Sequence, residues 1–69
     1  MNDIRDSRGH LVCRIEPESG LVESSYKKQI TKTHLHIGGS ISIERNRIIT
    51  TVKRTAEEEY EVESFTKTI

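Results

Sequence analysis

The residues with the most versatile chemistry in this 69-residue chain are three histidines and one cysteine. His34 and His36 flank Leu35. On a strand that spacing puts both imidazoles on one face, where a metal can be chelated. A closed zinc site takes four donors. His10 and Cys13 are the further candidates, but residues three apart on a strand point to opposite faces and do not converge. The default is therefore two surface histidines and no metal. Cys13 as a nucleophile would need a base and a third, orienting group. Only His10 lies near it, so Cys13 reads as a small residue inside a buried strand. Gly38-Gly39 lacks the helix and lysine of a phosphate loop. Asp6, Glu16, Glu18 and Glu44 sit at turns, where carboxylates are solvated or shape the turn. No catalytic residue, cofactor or small-molecule substrate is expected, and the protein is read as not an enzyme.

Two other groups of residues can bind rather than react. Lys27, Lys28, Lys32, Arg45 and Arg47 fall at or near loop tips and strand edges, where they can contact phosphates. Tyr26 is the sole aromatic residue within 1–54. The second group is the acidic segment 56–69, with Glu57, Glu58 and Glu59 followed by Tyr60, Val62 and Phe65. Its aromatic residues suit interface anchors. The net charge is zero but unevenly spread: 1–54 carries ten Lys/Arg against six Asp/Glu, and 55–69 carries five Glu against one Lys. The sequence thus predicts first a small protein-interaction module, an inhibitor or adaptor, working through a sheet edge or the acidic segment. Tyr60, Val62, Phe65, Glu57, Glu58, Glu59 and the outward Ile49 are its contact residues, and its partner is another protein or a second copy of itself. The alternative is a nucleic-acid-binding regulator that uses the five basic residues of a β-hairpin dimer.

These side chains need strands to position them. Ile41 and Ile43 alternate with Ser40 and Ser42, the period of a strand with one buried face, and Ile48 to Val52 is dense in β-branched residues. A two-residue turn at Arg45-Asn46 is the simplest closure; Asn46 tolerates positive φ but Arg45 suits a primed turn poorly, so a longer loop is the alternative. The two-residue turn opposes Glu44 to Arg47, Ile43 to Ile48 and Ile41 to Thr50, with Ile41, Ile43, Ile48 and Val52 on the core face. Upstream, Asp6-Ser7-Arg8-Gly9 and Glu16-Pro17-Glu18-Ser19-Gly20 are turn signals. They separate strands over 2–5, 10–15 and 21–26, the second of them apolar on both faces and so central. Residues 30–37 read as a further strand, with a helix over 25–33 as the alternative. For 56–69 a strand that adds to a sheet edge is preferred over disorder or a helix begun by the capping box Thr55…Glu58. The predicted fold is all-β: an antiparallel meander of five or six short strands over 1–55, curled into a barrel-like or two-layer sheet, followed by the partly ordered acidic segment.

Composition sets the outer bounds. Apolar and charged residues each make up 32% of the chain, with one Phe, two Tyr and no Trp. Such a core is thin, so a homo-oligomer, a homodimer in the simplest case, is expected to complete it. One cysteine forms no internal disulfide and fits a reducing compartment. No apolar run approaches the roughly 20 residues of a membrane span, and the N-terminus has no apolar signal core, so a cytoplasmic protein with no membrane contact is expected.

A turn ending in Gly9, then Leu11-Val12, then Ile37-Gly38-Gly39-Ser40-Ile41-Ser42-Ile43 with Ile48-Ile49 after a tight turn resembles the AbrB-type swapped-hairpin DNA-binding dimers over about a third of the chain. The resemblance implies DNA binding by a dimer. The chain departs from that family at Arg14–Gly20, where a proline-led short helix is replaced by what reads as a turn.

Overall fold

The computed structural model describes residues 2–67. Thr68 and Ile69, the end of the acidic segment, lie outside them. Seven strands follow one another: β1 (Asn2–Arg5), β2 (Leu11–Glu16), β3 (Leu21–Tyr26), β4 (Gln29–His34), β5 (Ser40–Arg45), β6 (Ile48–Ala56) and β7 (Glu59–Thr66). They form two antiparallel meanders, ordered β1-β2-β3-β4 and β5-β6-β7. The all-β, antiparallel expectation holds. The count is seven rather than five or six, and the strands divide between two sheets with no closed barrel among the described residues, so the curled, barrel-like or two-layer expectation is met only roughly.

The break between the sheets comes from hydrogen bonds to segments distant in sequence. The strand expected over 30–37 ends at His34, because the next backbone groups bond elsewhere. Leu35 N–H donates to the Gly20 carbonyl, Gly38 N–H to the Arg54 carbonyl, and Arg54 N–H to the Gly39 carbonyl. These bonds carry the chain from the first sheet to the second instead of back along β4. Among the described residues there is no helix, so neither helical alternative forms. Thr55 is the last-but-one residue of β6, and its hydroxyl donates to the Glu59 carbonyl across a tight turn. At Arg14–Gly20 the chain finishes β2 and turns, so the helix of the AbrB-type family has no counterpart. Among the described residues no helix is long and apolar enough to cross a membrane.

The organising hairpin closes one residue later than its sequence suggests. Arg45 pairs with Ile48, Ile43 with Thr50 and Ile41 with Val52, so the turn is Asn46-Arg47. Both turn residues have positive φ, 52° and 66°. That is the backbone of the primed turns whose twist matches the flanking strands. Relative to the expected pairing, each residue opposes a partner two positions along. A shift of two leaves every side chain on its face. Ile41 and Ile43 accordingly still pack on the core, and Ile48 and Val52 are buried. Ile49 faces the other way, between Glu44 and Phe65.

The core comprises Val12, Cys13, Ile15, Val22, Leu35 and Val52. Beside it lies Arg54, only 8% exposed. Period two from Ile48 through Thr50 and Val52 carries Arg54 inward, and among the described residues no carboxylate lies within ion-pair distance of it. Its guanidinium donates instead to backbone carbonyls: to Leu35 at 2.8 Å, to Glu57 at 2.7 and 3.2 Å, to Glu18 at 3.2 Å and to Ser19 at 3.5 Å. The Tyr60 ring lies 5.9 Å from it, and the Tyr60 hydroxyl donates to the Pro17 carbonyl. One side chain thus ties the β2–β3 turn, the 35–39 connection and the β6–β7 turn together.

Gly20 is part of the same knot. Its φ is +80°, and a Cβ there would collide with the Leu35 carbonyl oxygen and Arg54 Nη1. Gly38 has a similar φ of +90° with open space around it. Both positions penalise an L side chain through the backbone, by about 1–2 kcal/mol. The collision adds to this at Gly20 alone. In urea melts Gly20→Ala should therefore lose clearly more stability than Gly38→Ala; equal losses would show that the close approach is relieved at no cost.

The β1–β2 turn is built on Asp6, whose side chain is 5% exposed. Its Oδ1 accepts the backbone N–H groups of Arg8 and His10, and its Oδ2 lies 3.4 Å from His10 Nδ1. Burial alone would raise the Asp6 pKa, but those N–H donors and the His10 charge outweigh it and hold the carboxyl below the ordinary 3.8. A depressed folded pKa means stability that is present above the unfolded value and lost as pH falls through the folded one. Asp6→Asn keeps the acceptor and drops the charge. Its acid limb, in thermal melts below about pH 4, should be flatter than that of the parent; parallel acid limbs would contradict the assignment.

Candidate nucleic-acid interface

Two hairpin tips meet at one end of the molecule. The β3–β4 turn is Lys27-Lys28, with φ of 48° and 68°, and the β5–β6 turn is Asn46-Arg47. Tyr26 joins them. Arg45 Cζ lies 4.7 Å from its ring centroid and Lys27 Nζ lies 5.4 Å away, within the range of cation–π attraction. Arg45 is further fixed by donating to Ser24 Oγ at 2.6 Å. Lys67 arrives at the same end, its N–H donating to the Arg47 carbonyl and its Nζ lying 3.7 Å from Glu44. None of Lys27, Lys28, Arg45 and Arg47 has a carboxylate within ion-pair distance among the described residues.

Three of these four cations, Lys27, Lys28 and Arg47, stand out for their backbone as well. Among the described residues, the four non-glycine residues at positive φ all lie in these two turns, and three of them are basic. Glycine or asparagine adopts that conformation at least cost. Lys27, Lys28 and Arg47 occupy it against their steric preference.

The other end of the molecule is acidic. β3 and β6 run from the basic tips toward the β2–β3 and β6–β7 turns, where one guanidinium nitrogen, Arg54 Nη2, bonds the carbonyls of both Glu18 and Glu57. Glu16, Glu18, Glu57, Glu58 and Glu59 therefore lie on neighbouring segments there, separated from the basic tips by the length of a strand.

Of the five basic residues singled out in the sequence, Lys27, Lys28, Arg45 and Arg47 come together. Lys32 does not: it sits in mid-β4 opposite Glu23. The seven residues expected to contact a protein disperse. Tyr60 is half-buried, packed against the core and held through its hydroxyl. Val62 pairs with buried Val52 at the margin of the inner face. Ile49 and Phe65 pair with each other on the outer face, Phe65 being 52% exposed. Glu57 and Glu58 form the β6–β7 turn, and Glu59 begins β7. Arg54 escaped notice as anything but a charge, although the inward period of β6 marked it.

The histidine–cysteine group is scattered. β4 ends at His34, so His36 stands in the 35–39 connection and the strand spacing does not apply to the pair. Among the described residues no three His, Cys, Asp or Glu side chains are grouped to hold a metal. Cys13 is buried; burial pushes its thiol pKa up, with the Arg45 charge opposing, so the reactive thiolate is disfavoured.

No family model, curated protein or solved structure is similar to this chain.

Proposed function

We propose that the protein is a non-enzymatic nucleic-acid-binding module whose working surface is the basic end: Tyr26, Lys27, Lys28, Arg45 and Arg47. The observation that carries this reading is the placement of three Lys/Arg side chains in left-handed backbone on two adjoining tips. Backbone strain of this kind persists where function needs the side chain. Here the function is charge. Tyr26 and Ser24 hold Arg45 in place, so phosphate contact costs little further ordering of that side chain. Contacts to phosphate supply affinity without sequence preference. The sequence ranked a protein partner first; the convergence of the basic group, against the dispersal of the protein-contact group, supports putting nucleic acid ahead of it.

Strain and charge pull in opposite directions, and that gives the test. Lys28→Gly and Arg47→Gly should each stabilise the fold by about 1 kcal/mol, since glycine accepts positive φ freely. The same variants should bind a labelled mixed-sequence oligonucleotide several-fold more weakly at low salt. Variants that are more stable yet bind as well as the parent, or a parent that binds nothing, would reject the reading.

A second reading rests on β7. It is an eight-residue edge strand with Val62 and Phe65 exposed, so another protein or a second copy has a sheet edge to extend. Its contact residues are Phe65, Ile49 and Val62. Because β7 carries Tyr60 into the core, substitution rather than truncation tests it. Phe65→Lys should abolish any self-association seen by sedimentation, and an unchanged association state would remove this surface.

A further inference from the structure

We infer that the cleft between β2 and β3 receives a base of the nucleic acid held at the basic end, which makes the ligand single-stranded. This rests on the phosphate-binding reading of the tips and names the ligand class that fits it.

The sheet is forked at this place. β2 and β3 pair from Glu16↔Leu21 only as far as Arg14↔Glu23. Beyond that point the ladder stops. Ser24 Oγ donates to the Val12 carbonyl in place of a backbone pair. β3 remains paired with β4 to its end, and β2 with β1. The opening holds a cleft of about 380 Å³, within the range of small-ligand sites. Its walls include Leu11 and Val12 on β2, Ser25 on β3 and Ile30 on β4, with Arg14 and Glu23 at its closed end. Ile30 is 63% exposed, a large apolar side chain with no cover in the fold.

The occupant follows from lining and position. Apolar walls suit the face of a planar ring. A hydroxyl, a guanidinium and a carboxylate can meet the donors and acceptors on its edge. The position joins the cleft to the cations: Ser25 pairs with Ile30 at the cleft wall, Tyr26 with Gln29 one step on, and Lys27-Lys28 follow. One step along a strand is about 3.4 Å. A base in the cleft therefore has its own backbone phosphates beside the basic tips, a match of charge to charge. In a duplex the bases are stacked and paired and cannot turn into such a cleft. Single strands offer unstacked bases to apolar and hydrogen-bonding sites.

The test compares three labelled ligands of equal length by fluorescence anisotropy at low salt: a mixed-sequence single strand, the same strand with abasic sites throughout, and a duplex. The parent protein should bind the base-bearing strand about tenfold more tightly than the abasic one, the effect of burying roughly 60 Å² of ring face against apolar walls. Leu11→Ser and Ile30→Ser each remove an apolar wall at a partly exposed position, so folding is preserved, as circular dichroism and melting will verify. Both should bind the abasic strand like the parent and lose the preference for bases. Equal binding of base-bearing and abasic strands, a duplex bound as well as the single strand, or a preference intact in both variants would overturn the cleft assignment while leaving the basic end in place. No binding of any of the three ligands would overturn the basic end itself, and the cleft assignment with it.

Discussion

Replacing Arg54 by alanine is expected to remove about 3 kcal/mol or more of folding stability, the cost of leaving the buried Leu35 carbonyl and three part-buried carbonyls without their donor and of emptying the space the side chain fills. A domain of this size has only about 3–10 kcal/mol in all. The carbonyls of Leu35, Glu57, Glu18 and Ser19 belong to three different connections, and one fork serves them all. Arg54→Met separates packing from hydrogen bonding. It keeps the apolar stem and removes every donor, so it should be nearly as damaging as alanine. Arg54→Lys keeps the charge, but an ammonium has no fixed planar fork to reach carbonyls on several sides. It should recover less than half of the loss. Urea midpoints for the three variants check this. A methionine variant as stable as the parent would show that stem packing, not carbonyl bonding, holds the turns together.

Charge reversal at the basic end should have the largest functional effect. Lys27→Glu with Lys28→Glu places two carboxylates at the tip beside Tyr26, where the parent has two cations. Four phosphate contacts to a single strand imply a salt slope near −2.8, so affinity should fall about 50-fold between 50 and 200 mM salt. The reversed variant should bind at least about 100-fold more weakly at the low end of that range, because two contacts are lost and two repulsions replace them. Glu57→Lys with Glu58→Lys is the matching control at the opposite end, where it should leave binding intact or tighten it. Equal losses from reversal at either end would mean that only overall charge matters and the tips have no special role.

Much of this fold is legible from residue pattern. Asp6…Gly9 and Pro17…Gly20 mark two turns by the conformations those residues prefer, and the strands on either side follow. Period two assigns Ile41, Ile43, Ile48 and Val52 to the core. It extends to Arg54, where a charged residue on the inward side signals a buried hydrogen-bonding role. The exact turn of the organising hairpin is not legible in this way. An arginine in either place of a two-residue primed turn runs against local preference, so propensity does not choose between Arg45-Asn46 and Asn46-Arg47, and strand twist with cross-strand packing decides. The end of β4 is equally hidden. Thr31, Thr33, Leu35 and Ile37 alternate without interruption, and the stop after His34 comes from bonds to Gly20 and Arg54, far away in sequence.

The candidate site divides along the same line. Five basic residues at tips and edges can be picked from the sequence. That Lys27, Lys28, Arg45 and Arg47 share one end while Lys32 does not depends on how the two sheets stack. The stacking is fixed by contacts such as Arg45 on Tyr26 and Ser7 N–H on Ser64 Oγ, which have no local signature. The fork between β2 and β3 is likewise a tertiary feature. Local pattern pairs those strands along their whole length.

The most direct test of the basic end as the working surface is a two-dimensional ¹H–¹⁵N NMR titration of the full chain with a mixed-sequence single-stranded oligonucleotide at low salt. The amides of Tyr26, Lys27, Lys28, Arg45, Asn46 and Arg47 should shift together and saturate, and those of Glu57 to Glu59 should stay still. Shifts centred on Glu59–Thr66 of β7, or none anywhere, would contradict the assignment and return the edge strand to first place.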